Sequence, residues 1–180
     1  MALKSTIFRA TLNVSDLDRG YYAEHVLTIA RHPSETDERM MVRILAFALH
    51  ADENLQFGRG ISSDDEPALW LKDDTGRILK WIEVGLPDER LLRRAAGRAD
   101  EVVVVAYGGR TVEVWWQKDA ATFAKLSNLA VWSLTPDESR ALAALAERGM
   151  ALTCTIQDGQ VWFSAGETTL AITPNCLSDA

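Results

Sequence analysis

Ile78-Leu79-Lys80-Trp81-Ile82-Glu83-Val84-Gly85-Leu86-Pro87-Asp88-Glu89-Arg90-Leu91-Leu92-Arg93-Arg94-Ala95-Ala96-Gly97-Arg98 changes its hydrophobic period part-way along. Up to Val84 it reads as a strand, and residues 77–84 form a predicted β-hairpin with 68–72 around Asp73-Asp74-Thr75-Gly76. Pro87 suits a first helical position, so 87–98 is predicted helical. On its wheel Leu91, Leu92, Ala95 and Ala96 share one face, and Arg90, Arg93, Arg94 and Arg98 share the other. Val102 to Val105 is wholly apolar and is bounded by Gly108-Gly109, as expected of a strand buried on both faces. Strand, helix and buried strand in succession give an α/β (α+β) class with a mixed β-sheet, flanking helices and antiparallel hairpins.

Outward from that centre, residues 4–14 and 21–30 alternate as strands. Arg31-His32-Pro33-Ser34 breaks the second strand, and Ser34 begins a helix through Glu35-Thr36-Asp37-Glu38 to about Asp52. A polar loop covers 53–66. Beyond Gly109 a strand is predicted at 111–116, then a short helix at 119–127 and a strand at 129–134. Thr135-Pro136-Asp137-Glu138 opens a helix to about Arg148. A hairpin, 151–157 and 160–164, turns at Asp158-Gly159 before a last strand at 168–172. No repeat or linker divides the 180 residues, so 1–180 reads as one domain.

Composition excludes several classes. Hydrophobic residues make up 47%, which excludes a disordered chain. No run approaches the ~20 apolar residues of a membrane span, and the start lacks the apolar stretch of a signal peptide. A cytoplasmic protein is therefore expected, with no membrane partner. Cys154 and Cys176 are too few for a disulfide framework or a Cys-only zinc site. His25, His32 and His50 lack the i,i+4 spacing of a zinc helix. Lys plus Arg number 19 against 26 Asp plus Glu, a net charge of −7 that disfavours a nucleic-acid coat. It leaves room for an enzyme whose site alone is basic.

The informative residues are charges in apolar patterns. On the first helix Glu38 falls within the stripe of Met41, Val42, Leu45 and Leu49, while Arg39 and Arg43 point toward solvent. A carboxylate there needs a partner, a metal, or simply the first-turn environment that welcomes an acid. Glu83 ends a strand whose alternate positions are Leu79 and Trp81, which suits either a metal ligand facing a cleft or a solvent-facing acid. Asp64-Asp65-Glu66-Pro67 sets acids at the mouth of the hairpin, where acid runs are commonly just solvated. Arginines on one helix face can hold phosphates by forked hydrogen bonds, or balance nearby acids. Trp115, Trp116, Trp132 and Trp162 read as core or strand-pairing residues.

Ala30-Arg31-His32-Pro33-Ser34-Glu35-Thr36, Glu38-Arg39-Met40-Met41, Asp65-Glu66-Pro67, Trp81-Ile82-Glu83, Gly85-Leu86-Pro87-Asp88-Glu89-Arg90 and Trp115-Trp116-Gln117 follow one another along the chain. With these motifs the sequence resembles the YaeQ family of bacterial proteins over nearly its whole length. The resemblance implies a compact variant of the PD-(D/E)xK nuclease fold, in which acids on the first helix, at the hairpin start and in a Glu-x-Lys hold Mg²⁺ or Mn²⁺. It makes Glu38 the helix acid and Glu83 the Glu of Glu-x-Lys. Two departures stand out. Gly85 occupies the lysine position, and Ala68 follows Pro67 where an aspartate belongs. Asp65 or Glu66 is the substitute acid, and Gln117 or Lys118, at the end of a neighbouring strand, the substitute for the lysine.

Two readings result. In the first the protein is a divalent-metal-dependent nuclease or phosphodiesterase. Glu38, Asp65, Glu66 and Glu83 are its metal ligands, Gln117 or Lys118 positions the attacking water, and Arg90, Arg94 and Arg98 steady the substrate. In the second the same fold is catalytically inactive and serves as a nucleic-acid- or protein-binding module.

Overall fold

The computed structural model describes residues 4–59 and 65–178, so Asp64 of the acid run lies outside the described residues. In chain order these form β1 (Thr6–Asp16), β2 (Tyr21–Arg31), α1 (Asp37–Leu49), β3 (Leu55–Phe57), β4 (Leu69–Lys72), β5 (Ile78–Val84), α2 (Glu89–Arg98), β6 (Ala99–Ala106), α3 (Arg110–Phe123), β7 (Leu129–Ser133), α4 (Pro136–Ala143), β8 (Gly149–Gln157), β9 (Gln160–Ala165), β10 (Thr168–Ile172) and β11 (Asn175–Cys176). They build two compact units that interleave in sequence. One takes the described residues up to Ala51 with Asp137–Pro174, the other Asp52–Pro136 with the described residues from Asn175 on. Each unit carries a mixed sheet, so the α+β class holds.

In the first unit the sheet order is β10-β9-β8-β1-β2. β1 and β8 run parallel, and the other pairs are antiparallel. One face is apolar because alternate positions are: Phe8, Ala10, Leu12 and Val14 on β1, Met150, Leu152, Cys154 and Ile156 on β8. Thr36, not Ser34, caps α1, its Oγ1 accepting from the Arg39 N–H at 3.1 Å. Ser34 turns instead to its own loop, its Oγ lying 2.6 Å from His32 Nδ1. Met40 to Ala48 is buried without interruption. This overturns the solvent-facing placement of Arg43, which is 1% exposed. The Arg43 guanidinium bonds Glu35, itself buried, and the Ala30 carbonyl, while Arg39 takes the other Glu35 oxygen. α4 ends at Ala143 rather than near Arg148: the Leu145 and Ala146 N–H groups bond the carbonyls of Leu142 and Ala143, three residues back, so the chain leaves the α-helical ladder there.

The second unit orders its sheet β11-β7-β6-β5-β4-β3. β5, β6 and β7 are parallel, and each parallel step needs a crossover on a sheet face. α2 supplies the first and α3 the second. The strand expected at 111–116 is therefore helix: α3 runs Arg110–Phe123 and absorbs the short helix placed at 119–127. Val112, Trp115, Trp116 and Phe123 carry its helical period and pack on the sheet. Val102 to Val105 is fully buried, as the apolar run required. α2 begins at Glu89 with Asp88 as its cap, its Oδ1 accepting from the Leu91 N–H at 2.8 Å, so Pro87 precedes the helix. Leu92 and Ala95 join Trp81, Val102, Val104, Val112, Phe123 and Val131 in the core of this unit.

Candidate functional site

The second unit gathers most of the charges singled out above. β5 presents Trp81 and Glu83 on one side, two residues apart, and both are buried. Glu83 is 8% exposed, and its Oε1 accepts from the Trp81 indole N–H at 2.9 Å. It is thus an interior carboxylate rather than a solvent-facing one. At Gly85 the chain turns with φ +95° while its N–H bonds the Val105 carbonyl at 3.0 Å. An L side chain is strained in that conformation, which accounts for glycine where Glu-x-Lys would set its lysine.

The antiparallel register pairing Leu69 with Ile82 sends the chain before Ala68 toward the Glu83 end of β5. There Gly58 lets the two loop arms meet: a Cβ on it would lie 1.9 Å from the Pro67 carbonyl oxygen. The Gly58 N–H bonds the Ala68 carbonyl, and Glu66 accepts from the Arg59 N–H at 2.9 Å. Asp65 is exposed, and its carbonyl accepts from Arg98 Nη1 at 3.4 Å.

α2 delivers the opposite charge. Arg90, Arg93, Arg94 and Arg98 are all exposed, as the helix wheel required. Arg93 is ion-paired with Glu89 at 3.0 Å. The Arg98 guanidinium lies over the Trp81 ring, 5.2 Å from its centroid, and Trp70 meets the same ring edge-on at 6.0 Å. Trp81 therefore joins three features: the acid loop through Arg98, the arginine helix, and Glu83. The sequence reading missed this role, although Trp81 at the alternate position before Glu83 was its visible signal. Asp88, Arg90, Leu91 and Arg94 line a concavity of about 350 Å³ beside the helix.

Three more expected site residues, Glu38, Gln117 and Lys118, are carried by helices. Glu38 belongs to the first unit, is half-buried, and accepts from the Ser139 hydroxyl at 3.1 Å. Gln117 and Lys118 are not at a strand end. They sit exposed on α3, because the segment that precedes them is helical. Among the described residues no three His, Cys, Asp or Glu side chains group closely enough to hold a metal ion.

A family model described as "YaeQ protein" matches residues 1–174. The chain belongs to the YaeQ family. "Uncharacterized protein YaeQ" of Escherichia coli (strain K12) is 48% identical over 172 residues, 96% of this chain and 95% of that one. The protein of the same description from Salmonella typhi matches to the same extent. The crystal structure of YaeQ protein from Xanthomonas axonopodis pv. citri superposes with a TM-score of 0.94 at 50% identity, covering 98% of this chain and 99% of that one. That of YaeQ protein from Pseudomonas syringae gives 0.93 at 39% identity, covering 98% and 97%. Among the described residues no helix is long and apolar enough to cross a membrane.

Proposed function

We propose that this YaeQ-family protein binds a nucleic-acid backbone on the arginine face of α2. The observation that carries the reading is the exposed row Arg90, Arg94 and Arg98, with Arg90 and Arg94 opening on a concavity of nucleotide size. Guanidinium forks match phosphate oxygens, and Arg98 keeps further N–H donors beyond the one it gives to Asp65. The protein's net charge of −7 makes the attraction local, so binding weakens steeply with salt. Fluorescence anisotropy with labelled oligonucleotides tests it. Arg90→Ala with Arg94→Ala lowers affinity by about tenfold or more. An interaction insensitive to salt points to a protein partner instead.

A second reading, Mg²⁺- or Mn²⁺-dependent phosphodiester hydrolysis on a nuclease-like scaffold, is favoured by the burial of Glu83 at the strand end that Asp65 and Glu66 approach. In sequence α1 precedes the β4–β5 hairpin as in that scaffold, but α2 intervenes before β6. The described donors form no three-ligand set. Calorimetric titration of both metals into wild type and Glu83→Gln decides it. Saturable binding lost in the variant supports this reading, and no binding at millimolar metal removes it.

A further inference from the structure

We propose that the outer edge of β2 pairs with a second copy of this chain, the two strands running antiparallel about a two-fold axis at Val26. Among the described residues the two sheets end on four edge strands, and three are short: β10 has five residues, β3 three and β11 two. β2 has eleven, in unbroken register with β1, and no proline, glycine, lysine or bulge blunts its edge. Its even-numbered residues turn their backbone groups to that edge. The Arg9 N–H bonds the Arg148 carbonyl on the β8 side, so the even residues of β1 and the odd residues of β2 bond each other. The Arg43 guanidinium reaching the Ala30 carbonyl agrees with this. On the sheet face the same residues, Tyr22, Glu24, Val26, Thr28 and Ala30, are exposed, Val26 at 78% and Tyr22 at 63%.

The side chains select both the register and the occupant. β1 sets Ile7 beside Ala30 and Arg9 beside Thr28, and both Ile7 and Arg9 are exposed. With the axis at Val26, Glu24 of the second copy stands opposite Thr28. Its β-carbon is then about 10 Å from that of Arg9, a span the two side chains close. Tyr22 of the second copy stands opposite Ala30, small enough to let the ring reach Ile7, and the two Val26 side chains face each other. Symmetry repeats each match, and Glu24, Val26 and Thr28 exchange about six backbone hydrogen bonds. Within one chain Glu24 lies about 13 Å along β2 from the Arg9 row and does not reach it. A shift of two residues either way sets Glu24 of the second copy opposite Val26 or Ala30, away from that row. The pattern is its own complement, which selects a second copy over a foreign strand.

Sedimentation equilibrium of the whole chain, from micromolar to millimolar concentration, tests this. Wild type dimerises as concentration rises, and the Glu24, Val26 and Thr28 amides exchange with deuterium more slowly in step. Val26→Lys sets two cations at the axis and raises the dimer dissociation constant about tenfold or more. Glu24→Arg or Arg9→Glu alone weakens the dimer, and the two together restore it. All three side chains are exposed, and circular dichroism checks that each variant is folded. Wild type that stays monomeric at millimolar concentration overturns the proposal, as does a dimer indifferent to Val26→Lys. A dimer weakened by Val26→Lys but not restored by the double swap overturns the register.

Discussion

The indole N–H of Trp81 donates to Oε1 of Glu83 at 2.9 Å, within one strand and two residues apart. A strand sets side chains i and i+2 on the same face, so the donor reaches the carboxylate without any distortion of β5. Trp81→Phe keeps most of the ring's packing and removes that donor from a buried carboxyl group. The expected cost is about 1–3 kcal/mol, read as a lower urea midpoint with an unchanged m-value. Pairing it with Glu83→Leu removes the carboxyl group as well and recovers part of the loss. A double variant no more stable than Trp81→Phe refutes the coupling.

Glu35 and Arg43 form an ion pair inside the first unit, both nearly inaccessible. Burial pulls the Arg43 guanidinium below its ordinary pKa, and Glu35 pushes back. Breaking such a pair from one side leaves the buried Glu35 carboxylate with half of its partners, since Arg39 alone remains. Arg43→Met is therefore expected to cost about 3–5 kcal/mol, and Arg43→Met with Glu35→Leu considerably less than the sum. Chemical denaturation of the three variants gives the coupling directly.

Gly85→Lys would restore the sequence of a Glu-x-Lys motif. The backbone there has φ +95°, so the substitution is expected to destabilise by about 1–2 kcal/mol instead of completing a site. A thermal midpoint equal to wild type would mean that the turn relaxes to accept a side chain.

The strand–helix–strand run from β5 to β6 was legible because each segment keeps one hydrophobic period and the flanking turn residues agree with it. So was the arginine face of α2, since a helix wheel needs only spacing. Thr111-Val112-Glu113-Val114 alternates well enough for a strand, and only the parallel pairing of β6 with β7 demands a helix there. That pairing is a long-range fact. Arg43 was misplaced for a related reason: a wheel assumes that one side of a helix faces water, whereas α1 is buried on every side from Met40 to Ala48. Pro87 and Asp88 are both good helix starters, and only the Asp88 hydrogen bond to Leu91 distinguishes them. The contact of Arg98 with the Trp81 ring joins two elements and leaves no periodic trace in the sequence.

Cys154 gives the protein a pH-dependent component of stability at alkaline pH. Its side chain is fully buried on β8. Burial first, and the Asp16 carboxylate second, raise its thiol pKa to about 12, against 9.0 for an ordinary thiol. Between those values the folded chain keeps a proton that the unfolded chain has released. Stability is then intact below about pH 9 and falls as pH rises toward the folded-state pKa. Urea unfolding at intervals from pH 8 to pH 11 should show a steeper decline for wild type than for Cys154→Ala, whatever their offset at pH 8. Parallel declines would refute it. Thiol labelling at pH 8 offers a second check: Cys176, only partly buried, reacts first, and Cys154 reacts only as the chain unfolds.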